Sequence, residues 1–162
     1  MLDKTFYKDG GPLLVYTGNE AQVELFVNST GFQSYTLAKR LNGLSAYCEH
    51  RYFGKSIPFN WTIEQANARG NNQWLSIDNA MQDYSLALKH LKNKYSSLGK
   101  VFTFGGSYGG LLAAWMRMRY PDQVDGAVIS GAPVMFFDGI EGRGPDTQYY
   151  AFTAQLYAKQ GS

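Results

Sequence analysis

The chain has 162 residues, 44% of them apolar and 15% aromatic, which suffices for one domain with a buried core but not for a complete enzyme domain plus a substrate-capping domain. A formal charge of +2 without any Lys/Arg run excludes nucleic acid as the expected partner, and a single cysteine, Cys48, excludes an internal disulfide. No apolar stretch reaches the roughly 18 residues that a membrane-spanning helix needs, and the first ten residues lack the apolar segment of a signal peptide.

In chain order, residues 12–16 form a short apolar run that reads as a buried strand, stopping at Thr17-Gly18-Asn19-Glu20. Residues 23–41 mix helical spacing with a turn at 28–31, which predicts a short helix, a turn and a helix near 35–41. Residues 44–48 are a second buried strand, with Cys48 as a core thiol, and end in the polar cluster Glu49-His50-Arg51-Tyr52. Residues 54–74, with Pro58, Gly70 and several Asn, read as loop. Ile77, Ala80, Met81, Tyr84, Leu88, Leu91 and Tyr95 then recur at steps of three and four. They predict a helix with Ser76 as N-cap, Asp78 at the positive end of its dipole, and Lys89, Lys92 and Lys94 toward the other end.

Residues 101–105 are a third buried strand. They run into a helix that is apolar on most sides and stops at Pro121, residues 126–130 are a fourth strand, and 149–159 begin another helix. Strands that read as continuous apolar runs, alternating with helices, predict an α/β fold: a mainly parallel sheet with helices on both faces.

Gly105-Gly106-Ser107-Tyr108-Gly109 fits Gly-x-Ser-x-Gly in the context that gives the pattern meaning, a strand before it and a helix after it. So sharp a reversal forces the serine into a rare backbone conformation, and glycines two residues to either side let strand and helix approach. Ser107 is therefore the candidate nucleophile. The Tyr108 N–H, at the helix N-terminus, is a candidate oxyanion donor, and the Gly18-Asn19 loop is expected to supply a second. A phosphate-cradling loop would require a following Lys, which is missing. Glu20 could bind a substrate amino group or fix the loop. Arg51 with Glu49 reads as a structural ion pair, and Trp61 and Trp74 as pocket lining or simple packing. No His/Cys/Asp/Glu set has metal-ligand spacing, so neither metal nor cofactor is expected.

Thr17-Gly18-Asn19-Glu20, Glu49-His50-Arg51-Tyr52-Phe53-Gly54-Lys55-Ser56, Phe104-Gly105-Gly106-Ser107-Tyr108-Gly109-Gly110 and residues 117–134 together resemble the serine peptidase family S28, the family of Pro-X carboxypeptidases and dipeptidyl peptidases. The resemblance runs from about residue 10 to 134, and the block at 49–56 is its most specific part. It implies a partial α/β-hydrolase fold, with residues 1–140 as the N-terminal part of the hydrolase domain and 141–162 as the start of a helical cap insert. It further implies a lysosomal or secreted serine exopeptidase acting on peptides with proline at the scissile bond, with a homodimer of the full-length form kept as an expectation. Ser107 would be the nucleophile, and Tyr108 with Gly18 and Asn19 the oxyanion site. Asn28 and Asn60 head the two glycosylation sequons, which permit secretion without demonstrating it.

The sequence departs from the family in lacking an identifiable Asp and His partner. In such hydrolases the order is Ser, acid, His, but His50 and His90 both precede Ser107. His50 is expected to be structural and His90 solvent-exposed. Asp122, Asp125, Asp138, Glu141 and Asp146 come too early to match the family's acid. The chain alone is therefore expected to have little or no peptidase activity. Two other readings stand beside this one: a different α/β-hydrolase, such as an esterase or prolyl-oligopeptidase relative, and a truncated, non-catalytic product.

Overall fold

The computed structural model describes residues 1–135, residue 137 and residues 146–160, the side chains of 146–150 and 160 excepted. Two compact units result, Met1–Ala132 and Pro133–Ser162.

The first unit is built on a five-stranded sheet of β1 (Leu2–Asp3), β2 (Leu13–Thr17), β3 (Leu44–Cys48), β4 (Val101–Gly106) and β5 (Gly126–Ser130), in the order β1-β3-β2-β4-β5. All neighbours are parallel except β1, which runs antiparallel to β3. In the register Val15 stands opposite Ala46 on one side and Thr103 on the other. β2 is therefore central, and every one of its residues is buried.

The period-two alternation of strand side chains divides the core in two. Leu13 and Val15 point to one face, where Leu44, Ala46 and Val101 meet helices α4 (Ile77–Lys94) and α5 (Ser107–Arg119) through Met81, Tyr84, Leu88, Leu112 and Met116. Leu14 and Tyr16 point to the other face. There Tyr47 and Phe104 meet Val23 of α1 (Val23–Ser29) and Ala38 of α2 (Ala38–Leu41). Covered on both faces, these strands read as unbroken apolar runs. This is the α/β architecture that the sequence predicts.

Local details differ from the sequence reading. The turn expected at 28–31 shrinks to Thr30, whose hydroxyl donates to the Phe26 carbonyl at 2.8 Å. Helix resumes at Gly31 as a wide π-helical stretch, Phe32–Leu37, that leads into α2. Within it Gln33 is buried, and its Nε2 donates to the Leu14 carbonyl at 2.9 Å. The stretch read as loop, 54–74, holds a 3-10 turn (Pro58–Asn60), helix α3 (Ile63–Asn67) and a second 3-10 turn (Asn71–Trp74). Thr62 and Gln65 form a reciprocal capping box on α3, a local signature lying among the Asn, Gly and Pro that read as loop. Cys48 is half-buried rather than fully enclosed, and burial pushes its thiol up to about 11.

The second unit contains α6 (Asp146–Gln160), which includes the expected tail helix. The expected domain division at 140/141 lies outside the described residues. No described helix is long and apolar enough to cross a membrane.

Candidate active site

The reversal between β4 and α5 is where the backbone leaves ordinary conformations. Gly106 is extended (φ −114°, ψ 151°), and Ser107 follows at φ +53°, in the left-handed region that side chains rarely occupy. Holding a non-glycine residue there costs about 1–3 kcal/mol, which surrounding contacts must offset. Ser107 is exposed, with a strand on one side of it and a helix on the other, and its hydroxyl stands clear of the core.

The flanking glycines are required by contact. A Cβ on Gly105 would lie 2.1 Å from the Gly109 carbonyl oxygen, and one on Gly109 would lie 2.4 Å from Asn19 Oδ1 and 2.7 Å from the Thr17 carbonyl oxygen. The chain thus folds back with helix and strand backbones touching, and the loop after β2 presses on the same spot. Tyr108, the next residue, lies in the first turn of α5, where amide N–H groups have no intrahelical acceptor.

Gly18 and Asn19 are both buried at the end of β2. The Asn19 side chain ties the loop to the elbow: Nδ2 donates to the Gly106 carbonyl at 2.8 Å, and Oδ1 accepts from the Tyr16 hydroxyl at 2.9 Å. Thr17, which the sequence reading did not single out, is fully buried. Its hydroxyl donates between the carbonyls of Phe104 (3.0 Å) and Gly109 (2.7 Å), joining β2 to both arms of the elbow. Gly18 is required by packing. A Cβ there would lie 2.5 Å from the Cys48 carbonyl oxygen and 2.8 Å from the His50 nitrogen, so the loop must pass against the backbone that leaves β3. Glu20 is exposed, and no described hydrogen bond involves its carboxylate.

The 49–56 block is a scaffold beside this elbow. The Glu49 carboxylate accepts from the amides of Val23 (2.9 Å) and Lys55 (2.8 Å) and from the Ser56 hydroxyl (2.9 Å). Gly54, at φ +56°, has no room for a Cβ against that carboxylate. The expected Arg51–Glu49 pair is not formed. Arg51 instead grips Asp83 on α4 through Nε and NH2, each at 2.8 Å, and donates NH1 to the Trp74 carbonyl at 3.0 Å. The physical reason is capacity: Glu49 is committed to three donors of its own, whereas Asp83 presents both oxygens to the planar guanidinium. Trp74 is 43% exposed and lines a cavity of about 560 Å3 with Arg51, Asp83, Pro58 and Phe59. A hollow of about 350 Å3 borders the elbow itself at Gly105 and Gly106, with Tyr16, Phe32, Phe104 and Val128 as apolar walls.

His50 is 1% exposed. Nδ1 lies 2.7 Å from the Arg51 carbonyl oxygen and Nε2 lies 2.9 Å from the Tyr108 hydroxyl. A carbonyl only accepts, so Nδ1 carries the proton and the Tyr108 hydroxyl donates to Nε2 in the neutral ring. Burial holds His50 below its ordinary value, while the Arg51 carbonyl works in the opposite direction. Burial, reinforced by the Glu20 carboxylate, raises the Tyr108 phenol. His90 is exposed on α4. Asp138 and Glu141 lie outside the described residues, as does the side chain of Asp146, and the described residues contain no cluster able to hold a metal. Asn28 and Asn60 are both exposed.

A family model for serine carboxypeptidase S28 matches residues 1–159. The chain is 43% identical over 135 residues to prolyl carboxy peptidase like protein 5 of Caenorhabditis elegans, covering 81% of this chain and 26% of that one. It is 39% identical over 140 residues to lysosomal Pro-X carboxypeptidase of Homo sapiens, covering 85% and 28%, and 33% identical over 132 residues to the human thymus-specific serine protease, covering 82% and 25%. The chain thus spans about a quarter of the length of these curated relatives. A solved structure from work on the metagenome-derived lipolytic enzymes LipS and LipT aligns at 20% identity with a TM-score of 0.46, over 83% of this chain and 51% of that one.

Proposed function

Because the chain belongs to the serine carboxypeptidase S28 family, we propose that it carries the nucleophile and oxyanion half of a serine exopeptidase that cleaves next to proline. The observation that carries this reading is the exposed Ser107 at φ +53°, held between strand and helix with Asn19 tied across to Gly106. Ser107 Oγ attacks the carbonyl carbon of the prolyl residue. The oxygen gains negative charge and is received by the Tyr108 N–H and by an N–H of the Gly18-Asn19 loop, and collapse expels the amine and leaves an acyl-enzyme that water hydrolyses. Each such donor contributes about 3 kcal/mol to the transition state.

The proton leaving Oγ needs a base. His50 has both nitrogens engaged elsewhere and His90 sits exposed on α4, so neither takes that role. The triad His is therefore a part this chain does not supply, and an unactivated hydroxyl is a weak nucleophile. The relatives named as Pro-X carboxypeptidases favour release of a C-terminal residue after proline, in a lysosomal or secreted setting where the exposed Asn28 and Asn60 would accept glycans.

A peptide boronic acid ending in boroproline tests the reading without turnover, because boron accepts the serine oxygen as the hydroxyl proton passes to water, and the adduct mimics the tetrahedral state. Saturable binding with a tetrahedral boron NMR signal, lost in Ser107→Ala, is expected. Binding that survives that substitution overturns the assignment, and a preference for simple aryl esters over Pro-X peptides in reactivity favours the esterase reading instead. Turnover of a Pro-Phe reporter peptide by the chain alone is expected to be barely above background. Efficient cleavage abolished by Ser107→Ala would show that a base has been overlooked.

A further inference from the structure

The geometry points to His50 as a positioning residue for the oxyanion site: its neutral ring, protonated on Nδ1, accepts the Tyr108 hydroxyl on Nε2 and so holds the two halves of that site in register. This rests on the reading of Tyr108 and the Gly18-Asn19 loop as oxyanion donors.

His50 touches both halves. Its backbone nitrogen lies where a Cβ on Gly18 would come within 2.8 Å, so the loop after β2 is packed directly on it. Its Nε2 is 2.9 Å from the hydroxyl of Tyr108, the residue proposed to give its backbone N–H to the oxyanion. Its Nδ1–H is fixed by the Arg51 carbonyl at 2.7 Å. Arg51 is itself clamped to Asp83 of α4, and the Phe53 ring meets the imidazole edge-on at 5.5 Å. The ring thus has no alternative tautomer or rotamer that keeps both bonds.

Tyr108 and Ser107 share a peptide plane, so a displaced Tyr108 side chain displaces the amide beside the nucleophile. An error near 1 Å in such a position costs about 100-fold in rate. Protonating Nε2 reverses the contact: the ring becomes the donor, and the Tyr108 hydroxyl loses its acceptor. The charged and titratable groups facing the ring are Arg51 on its own segment, Glu20 from the loop after β2, Asp83 from α4 and Tyr108 from α5. Arg51 disfavours the imidazolium, the two carboxylates favour it, and burial outweighs both.

The test follows His50 and the Tyr108 amide together by 15N NMR in the whole chain as pH is lowered. Neutral His50 is expected to show the Nδ1–H tautomer and a midpoint below 6.5, and the Tyr108 amide is expected to shift with that same midpoint. His50→Gln, whose amide oxygen can accept the tyrosine hydroxyl, is expected to keep the amide at its neutral position with no titration. His50→Phe, which keeps the ring but no acceptor, is expected to displace the amide at every pH. It should also weaken boroproline binding by about ten- to 100-fold, with binding restored by Gln. A neutral Nε2–H tautomer, or a Tyr108 amide that stays still while His50 titrates, overturns the proposal. Boronate binding that ignores Ser107 overturns the hydrolase reading instead, and leaves the amide titration to decide the contact.

Discussion

At the residue scale the elbow is a set of contacts with no spare volume. The hypothetical Cβ of Gly109 meets two oxygens, the Thr17 carbonyl at the end of β2 and Asn19 Oδ1, and Asn19 Oδ1 cannot retreat without losing the bond it accepts from the Tyr16 hydroxyl. Gly109→Ala is therefore expected to destabilise the chain by about 1–3 kcal/mol, as overpacking does, measured by urea unfolding. It is also expected to diminish boroproline binding, because the loop that yields carries the proposed second oxyanion donor. His50 gives a second expectation at this scale. Its folded value lies below the ordinary 6.5, so between the two values the unfolded chain binds more protons. The stabilising contribution is full above about 6.5 and is lost as pH falls through the lowered folded value. His50→Gln should flatten this part of the acid profile in urea midpoints taken from pH 7 to 4.

At the element scale, the block between β3 and α3 joins three parts of the molecule. Glu49 holds the start of α1, His50 reaches α5, and Arg51 reaches α4. The bidentate Arg51–Asp83 pair is partly exposed, so solvent reduces its worth to about 1 kcal/mol. A double-mutant cycle of Arg51→Ala with Asp83→Ala is expected to return a coupling of that size. The corresponding cycle of Arg51→Ala with Glu49→Ala should return much less, because Glu49 spends its oxygens on Val23, Lys55 and Ser56. Equal couplings would restore the pairing that adjacency in sequence suggests.

At the scale of the molecule, β5 is the last strand of the sheet. β5 pairs with β4 on one side, and among the described residues no strand pairs with its other side. Val128 and Ile129 are each 45% exposed along it, and Val128 also walls the hollow beside the elbow. An exposed apolar edge strand is a template for pairing between chains. Sedimentation is expected to show concentration-dependent association that Val128→Lys reduces. An unchanged association with Lys in place would place the contact elsewhere.

The sequence alone determined the elements that depend on short-range pattern. Buried strands, the periodic helix α4, the Gly-x-Ser-x-Gly turn and the family blocks were all legible, because apolar periodicity and glycine placement are local records of a two-sided sheet and a sharp reversal. Helix α3 carries a local signature too, in Thr62 and Gln65, but the Asn, Gly and Pro around it are the residues of a loop. What only the tertiary structure decided were partnerships across distance. Arg51 finds Asp83 32 residues away, His50 finds Tyr108 58 residues away, and Thr17 finds the carbonyls at both ends of the elbow. Such choices follow from which side chains the parallel crossovers bring side by side and from which acceptors are already occupied. Both are properties of packing in three dimensions, and sequence neighbours do not encode them.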